Sequence, residues 1–309
     1  MKKIFPNQSL IYHFSSILVV FFPASLIAGP FVSELFMNIS SILILYLIIK
    51  EKKYYYFQNK VFYFFVFYCF YLLMRSFFSQ DPQLSFEVSI FYFRYGLFVI
   101  TILYLIENEK KFIKIFFLVF FITFLILVFD GYFQFFSGQN IFGFQSERPD
   151  RIGGLFFDEL KLGSFIVKLF PLLCVAFFYL KQKKIKNLFL MFLILSYFMV
   201  LLSGERAAFI LINFFVVLSC FGLMKLKRFI IYSLTFILLM TLLIWNTDSL
   251  KNRHYDQFLL HLVNKTPNGE TVFFPEYAML FKISQNMFLD NVLFGQGPKT
   301  YRALCFKKK

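Results

Sequence analysis

The sequence predicts an all-α polytopic membrane protein with about nine transmembrane helices. Three observations support this prediction: 59% of the 309 residues are hydrophobic, only 16% are charged, and the apolar residues fall in long runs. Soluble domains have about 45–50% apolar and about 25% charged residues, so this chain has too little polar surface to cover a water-soluble globule. The same composition excludes intrinsic disorder, which requires low hydrophobicity.

Nine apolar stretches are candidates for transmembrane helices, each of which needs about 20 mostly apolar residues. The first is longer than the apolar region of a signal peptide, and no small-residue cleavage site follows it. The third is long enough only if it extends through Arg75 to Phe78. The predicted spans are residues 10–28, 31–49, 61–74, 90–106, 112–129, 163–180, 188–202, 207–224 and 229–245.

The basic residues predict the orientation of these spans. Sixteen Lys and Arg residues lie at the amino terminus and in every second connection, whereas the alternate connections hold only five. Short loops rich in Lys and Arg stay in the cytoplasm, so the amino terminus is predicted to be cytoplasmic and the carboxyl-terminal segment extracytoplasmic. The chain then divides into a transmembrane domain, residues 1–245, and an outer segment, residues 246–309. The net charge of +15 is thus a topology signal, and no nucleic-acid partner is predicted.

The predicted outer segments are longer and more varied than the inner ones, and loops on a rigid scaffold are where sites are usually built. The first candidate is the pair Asp130 and Gln134, which closes the fifth span. Residues four apart share one face of a helix, so the carboxylate and the amide can contact a polar substrate together. The alternative is that they form an ordinary polar helix end.

Basic residues around the sixth span form the second candidate. Arg151 lies in a charged, glycine-containing turn, and Lys168 lies inside the span, seven residues after Lys161. A Lys at membrane depth is costly and usually faces a wet cavity or a partner. The alternative is that its ammonium group reaches back to the interface.

The third candidate is the Ser-Gly-Glu-Arg turn at residues 203–206, where two spans meet with almost no loop. A guanidinium group binds phosphate or pyrophosphate through two parallel hydrogen bonds, as Lys cannot, which makes Arg206 a candidate anion ligand. The alternative is a local pair between Glu205 and Arg206 that anchors the helix end.

The outer tail supplies the last candidates. Residues 275–291 have the periodicity of an amphipathic helix, and the segment after it contains Gly295, Gly297 and Arg302. Glycine backbone groups next to basic side chains can bind an anion. The four cysteines have no metal-site spacing, so neither a metal nor a cofactor is predicted.

Taken in order along the chain, these motifs resemble the O-antigen ligase and O-antigen polymerase family of bacterial envelope proteins. The likeness runs from about Arg94 to Arg302, and its most specific parts are the Ser-Gly-Glu-Arg turn and the Gly-Gln-Gly-Pro segment at 295–298. It implies a multi-pass protein of the bacterial cytoplasmic (inner) membrane that performs metal-independent glycosyl transfer on the extracytoplasmic side. The implied donor is a glycan on undecaprenyl pyrophosphate, and the implied acceptor is lipid A core or another lipid-linked glycan. Membrane lipids around the spans are the remaining expected partner.

The resemblance also implies roles for individual residues. Arg206 would bind the pyrophosphate, with Arg151 and Lys168 as secondary ligands. The glycan or acceptor contacts would come from the remaining candidates, which are Asp130, Gln134, Gly295, Gly297 and Arg302.

The chain departs from the family pattern at its end. The family continues to a His-bearing motif that supplies the catalytic base, whereas this sequence stops at Lys309. Its only histidines, His13, His254 and His261, do not match that motif, so the catalytic residue is unknown. We expect a truncated or frameshifted member with little or no transferase activity.

Two other functions remain open. A flippase for lipid-linked oligosaccharides would place charged residues along a midplane path and often shows internal repeats. Here Arg94 and Lys168 are expected near the outer boundary, and no convincing repeat is visible. A non-catalytic membrane assembly subunit is favoured by the missing histidine.

Overall fold

The structure is a computed structural model that describes residues 10–146, 148, 151–157, 159–179, 183–223, 263–265, 271–273 and 275–307, with five isolated positions between 239 and 251. The chain divides into two compact units. Unit 1 comprises Met1–Phe120 with Val272–Lys309, and unit 2 comprises Phe121–Thr271.

The described residues are mainly helical. The helices are α1 (Leu10–Val20), α2 (Phe22–Ala28), α3 (Pro30–Lys50), α4 (Lys60–Phe77), α5 (Pro82–Ser89), α6 (Arg94–Asn108), α7 (Lys110–Ser137), α8 (Leu162–Tyr179), α9 (Lys183–Leu202), α10 (Arg206–Leu223), α11 (Pro275–Asp290) and α12 (Tyr301–Lys307). Short 3-10 turns occur at Tyr54–Phe57 and Gly154–Phe156, and the strands β1 (Val263–Lys265) and β2 (Thr271–Phe273) pair in a two-stranded sheet.

Among the described residues, four helical segments are long and apolar enough to cross a membrane: α3, α4, α7, and the continuous stretch from α5 to α6. The pair α1 and α2 makes a fifth if it counts as one span bent by 52°. Pro23 lies in the first turn of α2, where its missing N–H suits a break between the helices. Three further apolar segments, one in each of α8, α9 and α10, are shorter: Leu162–Val175, Asn187–Leu202 and Arg206–Leu218.

These helices cover eight of the nine stretches predicted from the sequence. The short third stretch does extend past Arg75, as α4 reaches Phe77. The ninth stretch, residues 229–245, and most of residues 246–274 lie outside the described residues. The structure therefore confirms a helical chain with several membrane-length apolar helices, while the number of crossings and their orientation stay predictions.

Unit 1 is held together by aromatic and branched side chains between α1, α3 and α6. Its buried cluster includes Tyr12, Ile44, Ile48 and Tyr104, and the Tyr12 hydroxyl donates to the carbonyl of Leu105 at 3.3 Å. Between membrane helices such packing stabilises through van der Waals contact and shared hydrogen bonds, because the lipid tails are as apolar as these side chains. This cluster therefore accounts for the packing of the amino-terminal helices.

Two polar contacts fix the ends of these helices. Arg94, at the start of α6, forms a two-pronged ion pair with Glu34 in α3, with Nη1 2.6 Å from Oε2 and Nη2 2.8 Å from Oε1. At the opposite end of α3, Glu51 accepts a 2.9 Å hydrogen bond from the Tyr104 hydroxyl and lies 2.8 Å from the Lys53 ammonium group. Both Arg94 and Glu51 thus connect α3 to a neighbouring element.

The α4–α5 hairpin, also in unit 1, is joined by serines. Asp81 caps α5 by accepting from the amide of Leu84 at 3.2 Å, with Pro82 at the first helical position. The hydroxyl groups of Ser76 and Ser89 lie 2.6 Å apart, and both residues are buried. Small polar residues let two apolar helices approach closely and share hydrogen bonds.

Unit 2 contains the end of α7 together with α8, α9 and α10. Leu162, Ile166, Met199 and Ile212 are fully buried, and the last three helices pack on each other. A Cβ atom added to Gly131 in α7 would lie 2.7 Å from the Met199 sulfur and 3.0 Å from Leu162 Cδ2. The absence of a side chain at Gly131 is thus what allows α7 to approach these residues.

Candidate functional site

The end of α7 carries a buried polar cluster. The helix continues two turns beyond residue 129, where the predicted span ends, and Asp130 and Gln134 lie on its buried side with 0% and 6% exposure. The Gln134 side-chain oxygen accepts from the amide of Gly154 at 2.7 Å. The Asp130 Oδ1 atom accepts from the amide of Ile141 at 2.8 Å. Both side chains therefore bind the loop that follows α7.

Asn140 completes this cluster, and sequence inspection missed it. Its amide nitrogen donates to the carbonyl of Gly154 at 3.0 Å, and its oxygen accepts from the amides of Phe142 and Phe144 at 3.0 and 2.9 Å. Asn is a frequent turn residue because its side chain bonds nearby backbone groups. The sequence signal for it was its position between two glycines, Gly138 and Gly143. In the structure both glycines have positive φ values, of +80° and +84°.

Gly154 is the point on which these contacts converge. Its N–H is bound by Gln134 and its carbonyl by Asn140. Its φ is +58°, and an added Cβ would lie 3.3 Å from Asp130 Oδ2, an oxygen with no hydrogen-bond partner among the described residues. The cluster therefore holds the chain immediately after Arg151 in one conformation.

The turn at residues 203–206 is fixed by Glu205, which is only 8% exposed. Its carboxylate accepts from the amides of Gly163 at 2.7 Å and Ser164 at 3.2 Å, and also from the Ser164 hydroxyl. A carboxylate at a helix amino terminus is stabilised by the free N–H groups and the helix dipole. A local pair of Glu205 with Arg206 was the alternative interpretation of this turn, and the carboxylate of Glu205 binds the start of α8, about 40 residues away in sequence.

Close packing accompanies this capping. A Cβ added to Gly163 would lie 2.3 Å from Ser203 Oγ and 3.2 Å from Glu205 Oε1. The Ser203 hydroxyl in turn donates to the carbonyl of Val200 at 2.7 Å. The Leu-Gly-Ser opening of α8 and the Ser-Gly-Glu-Arg turn are thus two sides of one contact.

The segment containing Arg151 is joined to the same turn. The amide of Ile152 donates to the carbonyl of Ser203 at 3.4 Å. Arg151 is partly buried, and its Nη2 donates to the carbonyl of Leu160 at 2.8 Å. Arg206, at the first residue of α10, is also partly buried. The structure therefore brings the backbones next to these two predicted anion ligands into contact within unit 2.

Lys168 lies apart from the contacts around the turn at 203–206. It lies six residues into α8 with an exposed side chain, and among the described residues no hydrogen bond or ion pair links it to the turn at 203–206. Lys161, at the start of the same helix, forms an ion pair with Glu159 and lies 5.0 Å from the centre of the Phe156 ring.

The remaining predicted residues belong to unit 1, on the segment between α11 and α12. Gly295 and Gly297 have φ values of +67° and +101°, and a Cβ at Gly297 would lie 2.8 Å from the Cβ of Ser79. Arg302 lies exposed in α12. The two glycines therefore serve a turn and a close approach to the α4–α5 hairpin.

Arg75 binds this segment, and its role was not predicted. Its Nε donates to the carbonyls of Phe294 at 3.1 Å and Gly295 at 2.9 Å, its Nη2 also donates to Gly295, and its Nη1 donates to the carbonyl of Phe78 at 2.6 Å. The Tyr71 hydroxyl adds a 3.0 Å bond to Phe294. The sequence signal was a basic residue near the end of an apolar helix.

Comparison with known proteins adds no relative: no protein-family model, no curated protein and no solved structure matches the chain. The described part of the chain also contains no group of three or more His, Cys, Asp or Glu side chains arranged to hold a metal ion. A proposal about function therefore depends on the geometry of the two units and on the motifs in the sequence.

Proposed function

We propose that the chain is a multi-pass protein of the bacterial cytoplasmic membrane that binds glycans carried on undecaprenyl pyrophosphate at its extracytoplasmic side. The observation that carries the proposal is the fixed arrangement around Glu205, because it orients the two segments that present Arg151 and Arg206. The reaction class is the one implied by the likeness to O-antigen ligases and polymerases, with lipid A core or a lipid-linked glycan as acceptor.

The proposed topology has nine spans, with the amino terminus inside. The contact between Arg75, at the end of α4, and the segment at 294–295 supports it. Both must lie on the same side of the membrane, so the chain crosses an even number of times between them. Six predicted spans, the fourth to the ninth, lie in that interval, and six is even.

Charge and preorganisation support pyrophosphate binding at the 203–206 turn. Transfer breaks the bond between the anomeric carbon and the pyrophosphate oxygen, and the acceptor oxygen forms the new bond to that carbon. Negative charge grows on the departing pyrophosphate, and donors held in place stabilise it without reorganisation. Arg206 and Arg151 would supply these donors, while Glu205 and Gln134 hold their segments. The acceptor proton needs a base, and we assign that role to none of the described residues.

Binding of the lipid pyrophosphate by the purified full chain in nanodiscs tests the proposal. We expect Arg206→Lys to weaken binding of undecaprenyl pyrophosphate by about tenfold or more, which is about 1.4 kcal/mol, since Lys cannot form the parallel bonds of a guanidinium group. Lys265→Ala, which removes a basic residue at a distant sequence position, serves as the control and is expected to bind normally. Equal and small effects of the two substitutions would refute the proposal.

The same preparation separates this proposal from transport. A flippase would move a fluorescent lipid-linked oligosaccharide across the bilayer of proteoliposomes, whereas a donor-binding protein would bind it without such movement. Transbilayer movement that is lost in the Arg206→Lys variant would favour the flippase function instead.

A further inference from the structure

A short apolar tip, Val292-Leu293-Phe294, lies between α11 and α12 in unit 1. The three side chains are 54%, 85% and 63% exposed. They follow a helix whose buried contacts are made by Ile283 and Met287 against Leu304, so the tip takes no part in that packing. Contiguous exposed apolar side chains mark a surface that contacts a partner or a membrane.

The attachment of the tip defines its level along α4. The carbonyl of Phe294 accepts from the Tyr71 hydroxyl and from Arg75 Nε, at 3.0 and 3.1 Å. Both donors lie in the last two turns of α4, which is long and apolar enough to span a membrane. Only 11% of the most apolar stretch of this helix is buried inside the structure, so most of its surface is left to the lipid.

Side chains of α4 bind one carbonyl of the tip, that of Phe294, and the carbonyl of the following Gly295. Irregular chain near the hydrocarbon region is tolerated only where protein groups satisfy its carbonyls and amides. Arg75 and Tyr71 do this for the carbonyls of Phe294 and Gly295. Arg and Tyr are also residues that suit the membrane interface, with an apolar stem and a polar end.

Apolar surface continues from the tip onto the end of α4. Phe77 and Phe78 are 64% and 73% exposed, and Phe78 and Phe294 line one cavity of about 340 Å³ together with Met74. Phe294 of the tip and the end of α4 thus share one cavity.

We propose that the tip inserts into the lipid leaflet on the side where α4 ends and contacts phospholipid acyl chains there. The hydrogen bonds from Arg75 hold the tip in this position. A lipid contact fits better than a protein contact because the tip is fixed beside a helix that is itself largely uncovered. The inference needs only α4 to cross the membrane. Insertion of the tip does not depend on whether the chain binds glycans.

Tryptophan fluorescence tests the insertion. The single Trp245 is replaced by Phe, and Leu293→Trp is made in that background; Asn286→Trp, on an exposed polar position of α11, is the matched control. The full chain is placed in vesicles of phosphatidylethanolamine and phosphatidylglycerol with acyl-brominated phosphatidylcholine. We expect brominated lipid to quench the tryptophan at 293 strongly and aqueous iodide to leave it bright, with the reverse at 286.

Three results would overturn the proposal. Quenching at 293 by iodide but not by brominated lipid would put the tip in water, and protection from both would mean that protein covers it. Equal lipid quenching at 286 and 293 would remove any selective role of the tip. Adding Arg75→Ala to the Leu293→Trp protein should cost the lipid quenching while circular dichroism stays unchanged. Unchanged quenching would show that Arg75 does not hold the tip in place.

Discussion

The two units differ in the side chains that bind two of their irregular segments, although each unit uses both donors and acceptors: Asn140 donates in unit 2, and Asp81 accepts in unit 1. In unit 2, the acceptor side chains of Gln134 and Glu205 bind backbone N–H groups of the Gly154 turn and of the start of α8. In unit 1, the donor side chain of Arg75 binds backbone carbonyls at 294 and 295. The acceptors of unit 2 are almost fully buried, whereas Arg75 remains partly exposed.

This difference bears on which arginine binds an anion. The guanidinium group of Arg75 donates hydrogen bonds to three different carbonyls. Most of its donors therefore bind the protein itself. In unit 2, the helix amino terminus and the turn glycine are already satisfied by carboxylate and amide groups. Arg206, partly buried at the first residue of α10, is the residue that we propose as the anion ligand.

The largest expected effect comes from Glu205→Ala. This substitution leaves the amides of Gly163 and Ser164 without their acceptor in a buried place, and we expect a loss of about 3 kcal/mol in unfolding free energy. Thermal unfolding of the detergent-solubilised protein measures it. The control is Glu159→Ala, whose exposed ion pair with Lys161 is worth less than about 1 kcal/mol. If both substitutions cost the same, the capping role is wrong.

Gly163→Ala is the next most severe change expected. The new Cβ would lie 2.3 Å from Ser203 Oγ, and such overpacking costs about 1–3 kcal/mol. Gly131→Ala is a suitable comparison, because its nearest neighbour is the sulfur of the flexible Met199 side chain. We expect a smaller drop in melting temperature for Gly131→Ala, and the opposite order would contradict the tight contact between α8 and the turn.

Arg75→Ala should loosen unit 1 locally rather than unfold it. Loss of its hydrogen bonds to partly solvated carbonyls is expected to cost about 1–2 kcal/mol, seen as faster amide hydrogen exchange at residues 291–300. Lys299→Ala breaks only the exposed 2.8 Å ion pair with Glu87 and should change exchange little. Equal exchange in both variants would mean that Arg75 does not fix the segment.

The smallest effect expected is a pH dependence at Glu51. Burial raises the pKa of this carboxyl group, but hydrogen bonds from Lys53 and Tyr104 and the charges of Lys53 and Lys50 outweigh burial and hold the pKa below 4.5. Because the folded-state pKa is lowered, the stabilisation is complete above about pH 4.5 and is lost as the pH falls through the folded value.

Melting curves of the wild-type protein and of Glu51→Gln between pH 7 and pH 3 measure this dependence. We expect the wild-type protein to be the more stable of the two at neutral pH and the difference to shrink in acid. A difference that stays constant over this range would contradict the assignment to Glu51.

Apolar periodicity and run length predicted most of the described helices, although the short helices α5 and α12 were not predicted. Helix α11 is an example, predicted at 275–291 and found at Pro275–Asp290. The pattern did not reveal its buried side, which is formed by Ile283 and Met287, whereas Leu280, Phe281 and Phe288 are exposed. A helix near a membrane has two apolar environments, and sequence alone does not distinguish them.

The site was predicted less completely, for a different reason. Asp130, Gln134 and the turn at 203–206 were found as polar residues at helix ends, but their partners lie 11 to 42 residues away along the chain. Glu205 binds Gly163 across 42 residues, and Arg75 binds Gly295 across 220. Local sequence reveals such residues as unusual without identifying the backbone groups that they bind.

Photocrosslinking tests the central claim most directly. A polyprenyl pyrophosphate with a photoreactive group next to the pyrophosphate is irradiated with the full chain in nanodiscs, and mass spectrometry locates the label. We predict that label falls in residues 151–164 and 203–209 of unit 2 and is lost when excess unlabelled undecaprenyl pyrophosphate competes. Label that falls instead in residues 291–302 of unit 1, or that persists under competition, would contradict the claim.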